Sequence, residues 1–110
     1  MSVLVTSDAI HPVSLFQEFI EVNPRAAVAT FTGHVRDYGE TDGVHTLELE
    51  AYPEMAYSRL NELGREAAER FDLHAWQVVH RYGGLTLEEP IVWVATVSYT
   101  HLTLPTIYSV

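Results

Sequence analysis

Nine consecutive residues, Pro90 to Ser98 (Pro-Ile-Val-Trp-Val-Ala-Thr-Val-Ser), carry no charge and are nearly unbroken in apolar character. A strand with one solvated face alternates apolar and polar residues, whereas a near-continuous apolar run is the pattern of a strand covered on both faces. The fold must therefore place a layer on each side of a sheet. The apolar stretch is far shorter than the roughly 20 residues that span a bilayer. The N-terminus also lacks a basic segment followed by an apolar one, so a soluble cytoplasmic protein is expected. From Ile91 to Val97 the run is β-prone and free of proline, the composition of a segment that aggregates when left uncovered.

The remaining elements follow from periodicity and breakers. Val3 to Thr6 reads as a short strand. Pro12 opens a helix with Val13, Phe16, Phe19 and Ile20 on one face, and Asn23-Pro24 stops it. Ala26 to Gly33 reads as a buried strand, and Asp37 to Gly43 as a polar, glycine-bearing loop. From Val44 to Ala51 the alternation of Leu47, Leu49 and Ala51 with Thr46, Glu48 and Glu50 is that of a strand with one wet face. Tyr52-Pro53 breaks it and sets the first turn of a long helix, about Pro53 to Phe71, with Ala56, Leu60, Leu63, Ala67 and Phe71 on one stripe. Leu73 to Tyr82 is a further strand, with Trp76, Val78 and His80 on one face and Gln77, Val79 and Arg81 on the other. Gly83-Gly84 reads as a turn. One domain of α+β class is predicted, without repeats or a linker.

Composition narrows the chemistry. The chain has 110 residues and no cysteine, so thiolate nucleophiles, disulfides and cysteine-bound zinc are excluded, and any sulfur chemistry must use sulfur from another molecule. Fifteen acidic residues against six basic ones give a net charge of −9, which disfavours nucleic acid as a partner. All six basic residues are arginines, so no lysine Schiff base or lysine acid/base step comes from these residues. His74 and His80 share strand parity, but six residues along a strand separate them by about 20 Å, too far to share one ion. Neither a metal nor a cofactor is expected, and no serine, histidine and aspartate arrangement suggests a hydrolase.

Three blocks carry more than composition. The first, Thr30-Phe31-Thr32-Gly33-His34-Val35-Arg36-Asp37, runs a β-branched and aromatic strand into a glycine and then presents an arginine. Gly33 permits close approach of a ligand or backbone, and the Arg36 guanidinium is a planar fork suited to phosphate or carboxylate. The others are Leu47-Glu48-Leu49-Glu50-Ala51-Tyr52-Pro53-Glu54-Met55 and His80-Arg81-Tyr82-Gly83-Gly84-Leu85. In order and spacing the three resemble the large, catalytic subunit of molybdopterin synthase, over roughly Ala26 to Ser98. The resemblance implies an α/β-hammerhead-like fold of mixed or antiparallel strands packed with helices. It implies transfer of sulfur from the C-terminal thiocarboxylate of a small ubiquitin-like subunit to a tricyclic pterin bearing a cyclic phosphate, giving the molybdopterin dithiolene. It also implies a homodimer with a small subunit at each end, a heterotetramer.

By the same resemblance His34, Val35 and Arg36 match substrate-contacting positions. Both reactants are anionic, so an acidic protein must gather local positive charge to hold them. From the residues alone, Arg36 reads first as a surface arginine paired to Asp37 or Glu40 and only second as a functional one. His34 reads as a hydrogen-bond donor or as a solvated loop histidine. Phe31 reads as core, His80 as a hydrogen-bonded core histidine, and Arg81 as a structural or interface ion-pair former.

After Ser98 the family pattern stops. Family members continue with a histidine-arginine pair, a helix and active-site lysines, whereas this chain reads Tyr99-Thr100-His101, with His101 out of register and no arginine following. Residues 1–98 are thus expected to form an incomplete family domain lacking its C-terminal helix. Residues 99–110 read as a non-family tail of the kind a translated cloning or sequencing adapter produces. The expectation for such a chain is loss of activity with its C-terminal active-site segment. The alternative is a non-catalytic module that dimerises or docks a ubiquitin-like partner.

Overall fold

The computed structural model describes residues 2–24, 27–35, 46–49, 53–86 and 88–98. Its elements are β1 (Ser2–Thr6), α1 (Pro12–Val22), β2 (Ala27–His34), β3 (Thr46–Leu49), α2 (Pro53–Phe71), β4 (Ala75–Arg81), β5 (Gly83–Thr86) and β6 (Pro90–Ser98). Arg36, the Asp37 to Gly43 loop and residues 99–110 lie outside the described residues.

Four strands form a mixed sheet in the order β1-β4-β6-β2, in which β1 runs parallel to β4 and the other pairs are antiparallel. The uncharged run is the interior strand β6, hydrogen-bonded on both sides. Its odd residues Trp93, Ala95 and Val97 are buried together with Val79, Phe19 and Ile10, and Leu15, Val28 and Ala75 pack against that cluster. The Phe19 ring meets Trp93 edge-on, with centroids 6.0 Å apart and planes at 79°. This is the layer that α1 covers. The opposite face carries Trp76, Val78, Val94 and Thr96, over which α2 lays Leu60, Leu63, Gly64 and Ala67. The α+β reading therefore stands, with one helix on each face.

Both helices end where the sequence signals said they would. Pro12 and Pro53 occupy their first turns. Asn23 closes α1 by donating from its backbone and from Nδ2 to the Phe19 carbonyl, at 3.1 and 3.0 Å. At the end of α2, Asp72 adopts φ 54° and the Leu73 N–H reaches the Ala68 carbonyl at 2.9 Å. A left-handed residue followed by that six-to-one bond is a Schellman closure.

Four readings change. Phe31, read as core on a buried strand, is 61% exposed on the edge strand β2. Of the apolar stripe predicted for α1, only Phe19 is buried, while Val13, Phe16 and Ile20 are exposed. Leu15 and Phe19, one turn apart, face the sheet instead. The sequence of α1 is apolar on more than one side, so periodicity alone did not choose the face. Phe71 is exposed as well, with the Arg70 guanidinium 5.5 Å from its ring centre. Gly83-Gly84 is part of a strand: β5 pairs antiparallel with β3, from Leu49 opposite Gly83 to Thr46 opposite Thr86. Gly83 does turn the chain, with φ 93°, but its backbone groups also join a ladder that needs no side chain. Among the described residues no helix is long and apolar enough to cross a membrane.

Candidate active site at the end of strand β2

β2 pairs with β6 in plain register from Ala27 opposite Ser98 to Gly33 opposite Val92, and then slips, so that His34 stands opposite Pro90. The step leaves Ile91 of β6 without a partner, and such an extra residue bends the strand pair locally. Gly33 is required just before the slip, because a Cβ there would sit 2.9 Å from the stiff Val92 side chain at Cγ1. After the slip His34 is exposed and Val35 is only 3% exposed.

The strand end is fastened by its backbone. The Val35 N–H donates to the Glu89 carbonyl at 2.8 Å, and the Val35 carbonyl accepts from the Glu88 N–H at 3.1 Å. With its side chain in the interior and both backbone groups engaged, Val35 works as the anchor of this corner, and His34 is the neighbour that faces solvent. Arg36 follows Val35 directly in sequence. Of the three predicted site residues, the structure thus brings His34 and Val35 to one corner of the sheet, and the third lies outside the described residues.

Two other polar residues near this corner behave differently. Arg81 forms the ion pair expected of it: its Nη1 donates to Glu89 Oε2 at 2.5 Å, and its Nε donates to the Ser7 carbonyl at 3.2 Å. His80 sits half-buried on the α2 face, opposite Val92 of β6, and its buried Nδ1 has no hydrogen-bond partner. The reading of His80 as a hydrogen-bonded core histidine is corrected accordingly. The parallel β1 and antiparallel β6 flank this stretch of β4, placing Val5 and Val92 beside His80 on its ladder rungs. Glu89 was missed because nothing in its local sequence marks it, and its partner lies eight residues away across β5.

The family model described as MoaE protein matches residues 5–101, a span wider at both ends than the motif blocks. The molybdopterin synthase catalytic subunit of Rhizobium meliloti is 44% identical over 72 residues, which are 66% of this chain and 45% of that protein. The molybdopterin synthase catalytic subunit of Escherichia coli K12 is 39% identical over 90 residues, 79% of this chain and 60% of that protein. The solved molybdopterin cofactor biosynthesis protein E of Burkholderia multivorans superposes with a TM-score of 0.75 at 36% identity, covering 88% of this chain and 63% of that one. The chain spans about half the length of the curated relatives it matches.

Proposed function

The chain belongs to the MoaE protein family, and on that footing we propose that it binds the anionic pterin precursor of molybdopterin at the end of β2, within a molybdopterin synthase catalytic subunit. In this reading sulfur passes from the C-terminal thiocarboxylate of a small ubiquitin-like partner to a tricyclic pterin bearing a cyclic phosphate, and the product is the dithiolene. The observation that carries it is the end of β2 beyond the slip, where His34 is exposed, Val35 is buried, and a guanidinium-bearing residue follows in sequence. His34 and Arg36 make the contacts with the anion, and Val35 anchors the corner at the end of β2. Residues 1–98 supply this site, and the setting is cytoplasmic.

The test is a binding titration with the cyclic-phosphate pterin. Arg36→Ala is expected to weaken binding more than tenfold with no change in unfolding midpoint, because a charge-assisted bond to phosphate contributes about 1.5–3 kcal/mol. An isotherm unchanged by the substitution removes Arg36 from the site.

Assembly is part of the same proposal. A pair of chains, each with one small partner bound, accounts for the apolar surface on the edge strand β2, where Phe31 is 61% exposed. Sedimentation at micromolar concentration is expected to give a dimer, and a monomer there contradicts the pairing. The absence of lysine favours a second reading, a docking module without turnover, since these residues offer no lysine ammonium to steady or protonate a reacting centre. Supplying precursor and thiocarboxylated partner separates the two: a docking module binds the partner and forms no dithiolene.

A further inference from the structure

The corner at Val35 is tied to the opposite edge of the sheet by bonds that make no contact with an anion. At one end, the Ser7 carbonyl just beyond β1 accepts from Arg81 Nε at 3.2 Å, and the Thr6 carbonyl accepts from the Tyr82 N–H at 2.9 Å. In the middle, Arg81 Nη1 grips Glu89 Oε2. At the other end, Glu89 and Glu88 hold the Val35 N–H and carbonyl. Glu88 is kept at φ 72°, a conformation that side chains rarely adopt and that persists when its surroundings over-determine it. The Arg81 side chain is only 13% exposed and that of Glu89 34%, so solvent screens this pair less than the more exposed Arg59–Glu62 pair on α2, at 62% and 60%.

We propose that Arg81 and Glu89 are positioning residues, a clamp that sets the place of Val35 and hence of its neighbour His34. The proposal rests on the reading of this corner as the pterin-phosphate site. Geometry and electrostatics give opposite signs here, which makes the clamp testable. Glu89→Ala removes a carboxylate from the neighbourhood of an anion site and releases a guanidinium. Charge alone would then tighten anion binding. A clamp lost would loosen it, because the donors no longer sit where the phosphate needs them.

The experiment compares the unmodified chain with Glu89→Ala and Glu89→Gln, using the cyclic-phosphate pterin as probe and backbone amide exchange without it. Glu89→Ala is expected to weaken binding about tenfold and to speed exchange of the Val35 and Glu88 amides at least tenfold, with the amides of Val79 and Ala95 unaffected. Glu89→Gln keeps an oxygen acceptor for Arg81 and is expected to recover most of the affinity. Unchanged or tighter binding in Glu89→Ala, while Arg36→Ala still weakens it, overturns the clamp and leaves the site reading intact. No effect of Arg36→Ala overturns the site reading, and the positioning role falls with it. Unaltered exchange at Val35 in Glu89→Ala refutes the clamp without reference to any ligand.

Discussion

The Trp93→Ala protein is expected to unfold about 3–5 kcal/mol more easily than the parent, a loss comparable to much of the roughly 5–15 kcal/mol that holds a domain of this size together. Trp93 is 1% exposed at the centre of the interior strand, in the apolar cluster between the sheet and α1. Truncation removes the transfer free energy of an indole and leaves a cavity that a four-stranded sheet cannot close by moving one strand. It also deletes the edge-on contact with Phe19, of the kind worth about 0.5–1.5 kcal/mol beyond its buried area. The damage reaches the candidate site through the ladder, because Thr32 pairs with Trp93 and Gly33 with Val92. Urea unfolding followed by Trp76 fluorescence gives the number, and Trp93→Phe, which keeps a ring against Phe19, should lose markedly less. A Trp93→Ala loss below about 1 kcal/mol, less than the smallest core truncations of this type, would mean that this cluster is not the core.

What the sequence made legible is what local signals encode. The bounds of α2 were readable because Pro53 fixes the first turn and a long amphipathic pattern runs to Phe71. Those of β6 were readable because an uncharged nine-residue run has few other solutions. Harder features depend on contacts between distant segments. The face of α1 was ambiguous because Val13, Leu15, Phe16, Phe19, Ile20 and Val22 surround it, so the sheet made the choice. At the site, the burial of Val35 and the register slip, in which β6 steps from Val92 to Pro90 while β2 steps from Gly33 to His34, depend on how the two strands meet. Glu89 was invisible for the same reason: its meaning lies in Arg81 and Val35, which reach it only in the folded sheet.

Gly64 is the clearest case of a residue whose local reading has the wrong sign. By helix propensity Gly64→Ala in the middle of α2 should stabilise the protein by about 1 kcal/mol. In the fold, a Cβ at that position would sit 2.2 Å from Trp76 Cη2, 2.4 Å from Cζ3 and 2.5 Å from Cζ2, distances that real carbon contacts never reach. The ring cannot yield as a flexible side chain would. It is 3% exposed, rigid, and wedged between the helix and a strand that is hydrogen-bonded on both edges. Either α2 lifts from β4 or the indole leaves its pocket, and overpacking of this kind typically costs about 1–3 kcal/mol, occasionally more. The collision outweighs the propensity gain, so a net loss of about 1 kcal/mol is expected. For a domain of roughly 100 residues that lowers the melting midpoint by about 5 °C. Trimming the obstacle should reverse the sign: in a Trp76→Leu background Gly64→Ala is expected to be neutral or stabilising, a coupling that a double-mutant cycle reads directly. If Gly64→Ala raises the midpoint with Trp76 in place, the helix does not ride on that ring, and the packing of α2 against the sheet described above is wrong.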